Sequence, residues 1–194
     1  MASSRSKKPP NAKIMAAKVD TGNGSMVKVV LRNETDDADL PESLWATPVG
    51  LHKYRLENSP FFAYGVSFQD VVEARDKFDD GVLEFIRVVK KSGNRTLRMS
   101  HEAGKPISSK ILKPLLDMGC TYEGANPAFL VINVPPQADF DAAATYIFNL
   151  DSKSIVFEFA DPTADEYFDT QEKAEKNKKQ SQRKKQPRSR TRKP

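Results

Sequence analysis

The chain carries a single cysteine, Cys120, in 194 residues. One thiol forms no intramolecular disulfide and builds no multi-cysteine zinc site. Histidine is nearly as scarce, with His52 in a predicted turn and His101 at a predicted strand end. Neither has metal-ligand spacing to an acid or to Cys120, and neither is placed beside Cys120 by sequence, so a metal site and a thiol–imidazole nucleophile both lack support. Cys120, after Gly119 at a predicted helix end, reads as a free thiol. No apolar run reaches the roughly 18 residues a membrane-spanning helix needs. No apolar stretch of the secretory kind follows Met1-Ala-Ser-Ser-Arg5. The expectation is a cytoplasmic protein with no membrane partner, no metal and no cofactor.

Apolar residues make up 38% of the chain, low for a globular domain, so part of it is expected to be unfolded. Charge shows which part. The net charge is +5, but residues 1–14 hold +4, residues 171–194 hold +9, and residues 15–170 hold −8. The body is acidic and both ends are basic. The stretch after Thr170 contains one apolar residue, Ala174, and cannot bury enough surface to offset the entropy of ordering. Residues 1–25 read as a disordered arm and residues 166–194 as a disordered basic tail, with its first turns near Glu172 and Lys176 able to fray out of a helix.

Between the ends the reading is α+β in two modules. Residues 26–92 hold β-branched and aromatic runs: Val27–Arg32, Leu44–Val49, Tyr54–Glu57, Phe61–Gly65, Val71–Arg75 and Val82–Val89, with Asp79-Asp-Gly81 as a hairpin signal. Five or six short strands with no helix between them predict a small β-barrel-like module, with Pro48 at an edge or bulge. Residues 93–165 read as strand, helix, strand, strand, helix, strand. Arg95–Ser100 is the first strand. Ile107, Ile111, Leu115 and Met118 form a helical stripe that Pro114 should shorten or kink. Thr121–Glu123 and Phe129–Val134 bracket a turn, Phe140–Ile147 forms a helix, and Ile155–Phe159 closes the set. The order βαββαβ is the ferredoxin-like arrangement.

One block has a family look: Glu42-Ser-Leu-Trp-Ala46, Tyr54-Arg-Leu-Glu-Asn58, Pro60-Phe-Phe-Ala-Tyr-Gly-Val66 and Asp70-Val-Val-Glu-Ala74, then Arg87-Val-Val89 and Ser92-Gly-Asn-Arg-Thr-Leu-Arg98. It resembles the bacterial domain-of-unknown-function family DUF4265 over roughly residues 27–160. The resemblance implies a bacterial origin and a shared fold, and no reaction. The family pattern has a histidine after Ser92-Gly93, where this chain carries Asn94, so no acid–base role transfers to that position. The basic tail lies outside the resemblance.

The chemistry that remains is binding. Gly22-Asn-Gly24 lacks the preceding strand and following helix of a phosphate loop. The acidic run Glu34–Asp39 lacks the glycine and distal glutamate of a calcium loop. The basic run Arg87, Lys90, Lys91, Arg95, Arg98 lies where the modules meet, with Arg87 expected on the Leu83/Phe85/Val89 face and Arg98 opposite Arg95. Asn58, Tyr64, Arg87, Asn94, Arg95 and Arg98 are candidates for a ligand cleft, against the alternative of a polar packing seam. Trp45, Phe61 and Phe62 read as core or inter-module packing. In the tail, Lys178, Lys179, Arg183, Lys184, Lys185, Arg188, Arg190, Arg192 and Lys193 are candidates for non-specific contact with RNA, DNA or another polyanion. Three functions follow. The first is a non-catalytic adaptor tethered to nucleic acid by its tail, and the second a regulator using the acidic body against a basic protein partner. The third is an enzyme at the Arg87–Arg98 seam, which would need Asp70 or Glu73 near those arginines in a concavity. No catalytic residue is assigned.

Overall fold

Val27–Leu31 (β1) points Val29 and Leu31 inward and runs antiparallel to Glu42–Gly50 (β2), with Val29 beside Leu44. Lys53–Leu56 (β3), Val71–Asp76 (β4) and Leu83–Lys90 (β5) continue the antiparallel run. β5 then returns to β1 in parallel, Val29 beside Leu83, and closes a five-stranded barrel. This is a computed structural model, and it describes residues 25–32, 41–150 and 154–185, with side chains described as far as residue 179. The readings for residues 1–24, for the acidic run Glu34–Asp39, and for Arg188, Arg190, Arg192 and Lys193 lie outside the described residues.

The barrel interior is filled by Val29, Leu31, Leu44, Leu56 and Val72, with Ala46 and Ala74 where the space is small. A large aliphatic side chain fully buried here contributes roughly 1.5–3 kcal/mol. Pro48 sits at a register shift between β2 and β3, a place that tolerates its missing N–H. Two sequence expectations need correction. Phe61–Gly65, rich in aromatics, is not a strand; it belongs to a long connection between β3 and β4. Arg87 does not share a face with Leu83 and Phe85. Glu73 pairs with Arg87 but Ala74 with Phe85, so β5 carries an extra residue at Ile86. That bulge breaks the two-residue period and sends Arg87 outward while Val88 joins the barrel core.

The second module follows the expected element order. Arg95–His101 (β6) is followed by Ser109–Asp117 (α1), Thr121–Asn126 (β7), Phe129–Val134 (β8), Phe140–Phe148 (α2) and Ile155–Asp161 (β9). The sheet order is β7-β8-β6-β9, and every neighbouring pair is antiparallel. Ser108 caps α1, Asp139 caps α2 by accepting the Ala142 N–H, and Pro114 is accommodated within the short α1. Gly119 stops α1 at φ +89°, a conformation a Cβ would strain. Leu97, Met99, Leu130, Ile132, Leu115, Phe140 and Ile147 form one core between sheet and helices. The opposite sheet face, with buried Thr96, Arg98 and Asn133, is turned toward the β3–β4 connection.

The largest departure is at the C-terminal end. The stretch read as disordered from residue 166 is helical, Ala164–Lys185 (α3), about 33 Å at 1.5 Å per residue. Its charge and polarity hid three helix signals. Thr163-Ala-Asp-Glu166 is a capping box: the Glu166 carboxylate accepts the Thr163 N–H at 2.9 Å, and Thr163 Oγ1 accepts the Glu166 N–H at 3.4 Å. Tyr167 anchors the first turns by stacking on Phe159 at 5.1 Å. Glu172–Lys176 and Glu175–Lys179 are i,i+4 pairs with the acid N-terminal, the favourable orientation. Low apolar content excludes a buried helix, not a solvent-exposed one held by caps and pairs.

Thr163→Ala should therefore cost about 1 kcal/mol at the helix start. The check is amide exchange across residues 164–170, which should speed up; unchanged protection there would refute the capping role. The Thr163 bonds hold the Glu166 carboxyl below its ordinary value. A carboxylate lowered in the folded state stabilises above its unfolded pKa and loses that contribution as pH falls through the folded value. The start of α3 should loosen on acidification in that window.

Candidate functional site

The two modules meet along residues 57–70, the connection between β3 and β4, which lies across the free face of the second sheet. Its course is fixed by buried polar groups. Asn58 does not face a cleft: its Oδ1 accepts the Trp45 N–H at 2.7 Å and starts the turn away from the barrel. The Ser59 N–H reaches the Glu123 carboxylate of β7 at 2.7 Å. Phe61 and Phe62 both lie against Phe129, ring centroids 5.7 Å apart, which is the inter-module packing expected of them. The carboxylate of Glu42 then accepts three successive backbone N–H groups, from Phe61, Phe62 at 3.0 Å and Ala63 at 3.1 Å.

Arg98 sits under this turn, 3% exposed. It donates to the Ala63 carbonyl and, at 3.0 Å, to Glu158 of β9. Its guanidinium lies 4.8 Å from the Tyr64 ring, and the Tyr64 hydroxyl donates to the same Glu158. Burial pushes Arg98 down to about 10, an effect that the nearby Glu42 charge opposes, so it stays cationic at neutral pH. Burial also pushes Glu158 up. Among the described residues, Arg98 Nε is buried without a partner, as are Ser59 Oγ and Asn133 Oδ1.

Further along, Gly65 N–H bonds the Ala160 carbonyl at 2.8 Å. Ser67, fully buried, donates to Asp161 at 2.6 Å and lies 2.8 Å from Thr96 Oγ1. Lys91 closes the seam from the barrel side, 2.7 Å from Asp161 and 3.3 Å from Asp70. Asp70 accepts the N–H groups of Ser67 and Ser92. Asn94 donates to the Phe68 carbonyl at 3.0 Å.

The six residues read as one ligand cleft therefore separate. Tyr64 and Arg98 come together. Arg87 is on the barrel exterior, paired with Glu73 at 2.9 Å. Arg95 is on the helix side of β6, 4.8 Å over the Phe140 ring. Asn58 and Asn94 hold backbone turns. Of the carboxylates an enzyme at this seam would need, Asp70 is buried beside Lys91, and Glu73 lies outside with Arg75 and Arg87, which hold its pKa down. The seam is a packed polar contact.

Concavities lie beside it. Asn94 and Arg95 line a polar cleft of about 440 Å³ with Lys91, Asp141, Asp161 and Gln171. Most of its charges are spent internally: Asp141 accepts from Tyr167 and Gln171, and Asp161 holds Lys91 and Ser67. A second cavity, about 430 Å³, is lined by Tyr64, Phe148, Phe157, Glu158, Asp165 and Phe168 at the outer side of β9. Cys120 is 3% exposed and its thiol is pushed up by burial, the environment of an inert core cysteine. Among the described residues no group of three or more His, Cys, Asp or Glu is placed to hold a metal ion, and no helix is long and apolar enough to cross a membrane.

Sequence reasoning placed Lys91 at the junction but missed Glu42, Ser67 and Glu158 as parts of the seam. Glu42 did leave a signal: it shares parity with Leu44 and Ala46, which point inward, so its carboxylate had to be buried and bonded. On α3, helical spacing places Lys173, Lys176 and Lys179 along one stripe.

A family model described as "Domain of unknown function (DUF4265)" matches residues 42–156. A solved structure described as "Novel crystal structure of a hypothetical protein from Neisseria gonorrhoeae" is similar, with a TM-score of 0.58 and 18% identity, over 69% of this chain and 92% of that one. At that identity the likeness is one of fold alone. No match was found among the curated proteins.

Proposed function

Since this chain belongs to the DUF4265 family, whose description assigns no activity, we propose its function from its own charge layout: an adaptor whose basic C-terminal segment contacts nucleic acid or another polyanion without sequence preference. The observation that carries the reading is α3. It is rooted in the second module by Tyr167 and the capping box, its acids end at Glu175, and its residues 172–179 are exposed. After Glu175 the chain holds ten Lys and Arg and no acid. The orientation is favourable, since the helix dipole favours cations at the C-terminal end and an adjoining polyanion neutralises their mutual repulsion. The second module is read as ferredoxin-like on its element and sheet order, with its free face spent on the barrel rather than on a ligand.

The test is a gel shift with duplex DNA and with single-stranded RNA, comparing the full chain with one ending at Thr170. The full chain should bind and the shortened one should not. Within the full chain, replacing Lys176, Lys178 and Lys179 by Glu should weaken binding by at least about tenfold. Equal binding by both chains, or binding by neither, refutes the reading.

A further inference from the structure

The outer strand of the second sheet leaves a free edge, and we propose that it receives, as an added strand, an extended segment of a partner protein that alternates apolar residues with Lys or Arg. β9 ends the sheet order, and among the described residues β6 is the strand that runs beside it. The connection between the modules covers the far end of β9, where the Gly65 N–H takes the Ala160 carbonyl. Among the described residues, Ile155–Phe159 makes backbone hydrogen bonds to β6 and to no second strand. Exposed edges are normally blunted by lysine, proline or a bulge. Ile155-Val-Phe-Glu-Phe159 has no lysine and no proline, and the register shift in its ladder lies beyond it, toward Asp161. Its one charge, Glu158, is tied back to Arg98 and Tyr64.

The two sides of this edge differ in a way that specifies the occupant. On the helix side, Phe148, Phe157, Phe159 and Phe168 form a chain of ring contacts 6.0–6.3 Å apart, with Phe148 and Phe168 69% and 59% exposed. On the barrel side lie Val156, Tyr64 and Glu158. An added strand alternates its side chains between those two sides, so apolar residues meet the rings and the intervening ones meet Glu158. Charge selects among occupants. Glu158, 41% exposed, and Asp165 line the groove, and since the one cation at its floor, Arg98, offsets Glu158 alone, the described lining keeps the net negative charge of Asp165. A cationic strand is favoured, whereas nucleic acid or a second β9, which would bring its own Glu158, meets like charge. This surface is separate from the cationic half of α3, and its occupancy does not depend on the polyanion reading.

The experiment uses the isotope-labelled full chain and a blocked synthetic peptide of about eight residues alternating valine and lysine, with a control of the same composition in which valines precede lysines. The alternating peptide should cause saturable amide shifts confined to Ile155–Phe159 and the surroundings of Phe148 and Phe168, and the control should bind at least about tenfold more weakly. Asp165→Lys and Phe168→Ala, both at exposed positions, should each weaken binding about tenfold while leaving the remaining spectrum in place. Absence of saturable shifts, equal shifts with the control, shifts centred elsewhere, or contacts between the β9 strands of two copies would overturn the proposal.

Discussion

Replacing Glu42 by alanine should destabilise the protein by about 3–4 kcal/mol, the largest effect of any single polar change here. Two losses coincide. The backbone N–H groups of Phe61, Phe62 and Ala63 lose their shared acceptor inside a buried turn, and each unsatisfied donor costs about 1–3 kcal/mol before relaxation. Arg98 also loses the negative charge that favours its buried cation. Glu42→Gln keeps the shape and one carbonyl acceptor, so it should cost less than alanine but still more than about 1 kcal/mol. Arg98→Met should be destabilising as well, because it strands the Ala63 carbonyl and Glu158. In the Glu42→Ala, Arg98→Met double variant the two losses should add to less than their sum, the mark of one network. Urea unfolding of the four proteins measures this. A Glu42→Ala cost within about 0.5 kcal/mol of zero would mean that the turn is held by its aromatic packing alone.

Binding of nucleic acid by the full chain should weaken by roughly a thousandfold or more between 50 and 200 mM salt. The basis is the number of cations beyond Glu175, ten in the sequence, six of them within α3. If about six phosphates are engaged, counterion release gives a log–log slope near −5. The slope should be the same for different sequences, because backbone charge and not base edges would supply the free energy. The Lys176, Lys178, Lys179→Glu variant should flatten it by about three phosphate equivalents. A slope shallower than about −2, or one that differs strongly between sequences, would point away from an electrostatic tether.

How much of this was legible in the sequence varies by element. The barrel strands follow directly from β-branched runs and turn residues, and the helices of the second module from the spacing of Ile107, Ile111 and Leu115 and from the acids near Phe140. Phe61–Gly65 was misread because aromatic content favours strands, while its backbone is committed to a carboxylate, Glu42, and not to a ladder. Arg87 was misplaced because a bulge leaves no mark on the residue pattern but inverts the facings after it, here of Arg87 and Val88, up to a second shift at Val89. The tail was misread for a different reason. Composition argued correctly that α3 buries little, but the Thr163–Glu166 cap and the Glu–Lys spacing act locally and register only residue by residue. The opposite facing of Arg95 and Arg98 on β6 was legible from strand parity; what was not legible is that Asn58 and Asn94 are bonded to backbone groups of turns and Arg87 to Glu73 on the barrel exterior.

The parallel closure of β1 on β5 bears on how the chain acquires its structure during synthesis. β1 cannot complete its pairing until Leu83 and Glu84 have been made, and the polar seam waits longer still, for Glu158 and Asp161 at the end of the second sheet. Pairings this distant in sequence close slowly. A nascent chain that has emerged only to residue 92 would leave Phe61, Ala63 and Ser67 without Phe129, Arg98 and Asp161, their partners in the second module. The two modules should accordingly be one cooperative unit, lost in a single transition, with the barrel's own residues acquiring their full protection only after β9 has left the ribosome.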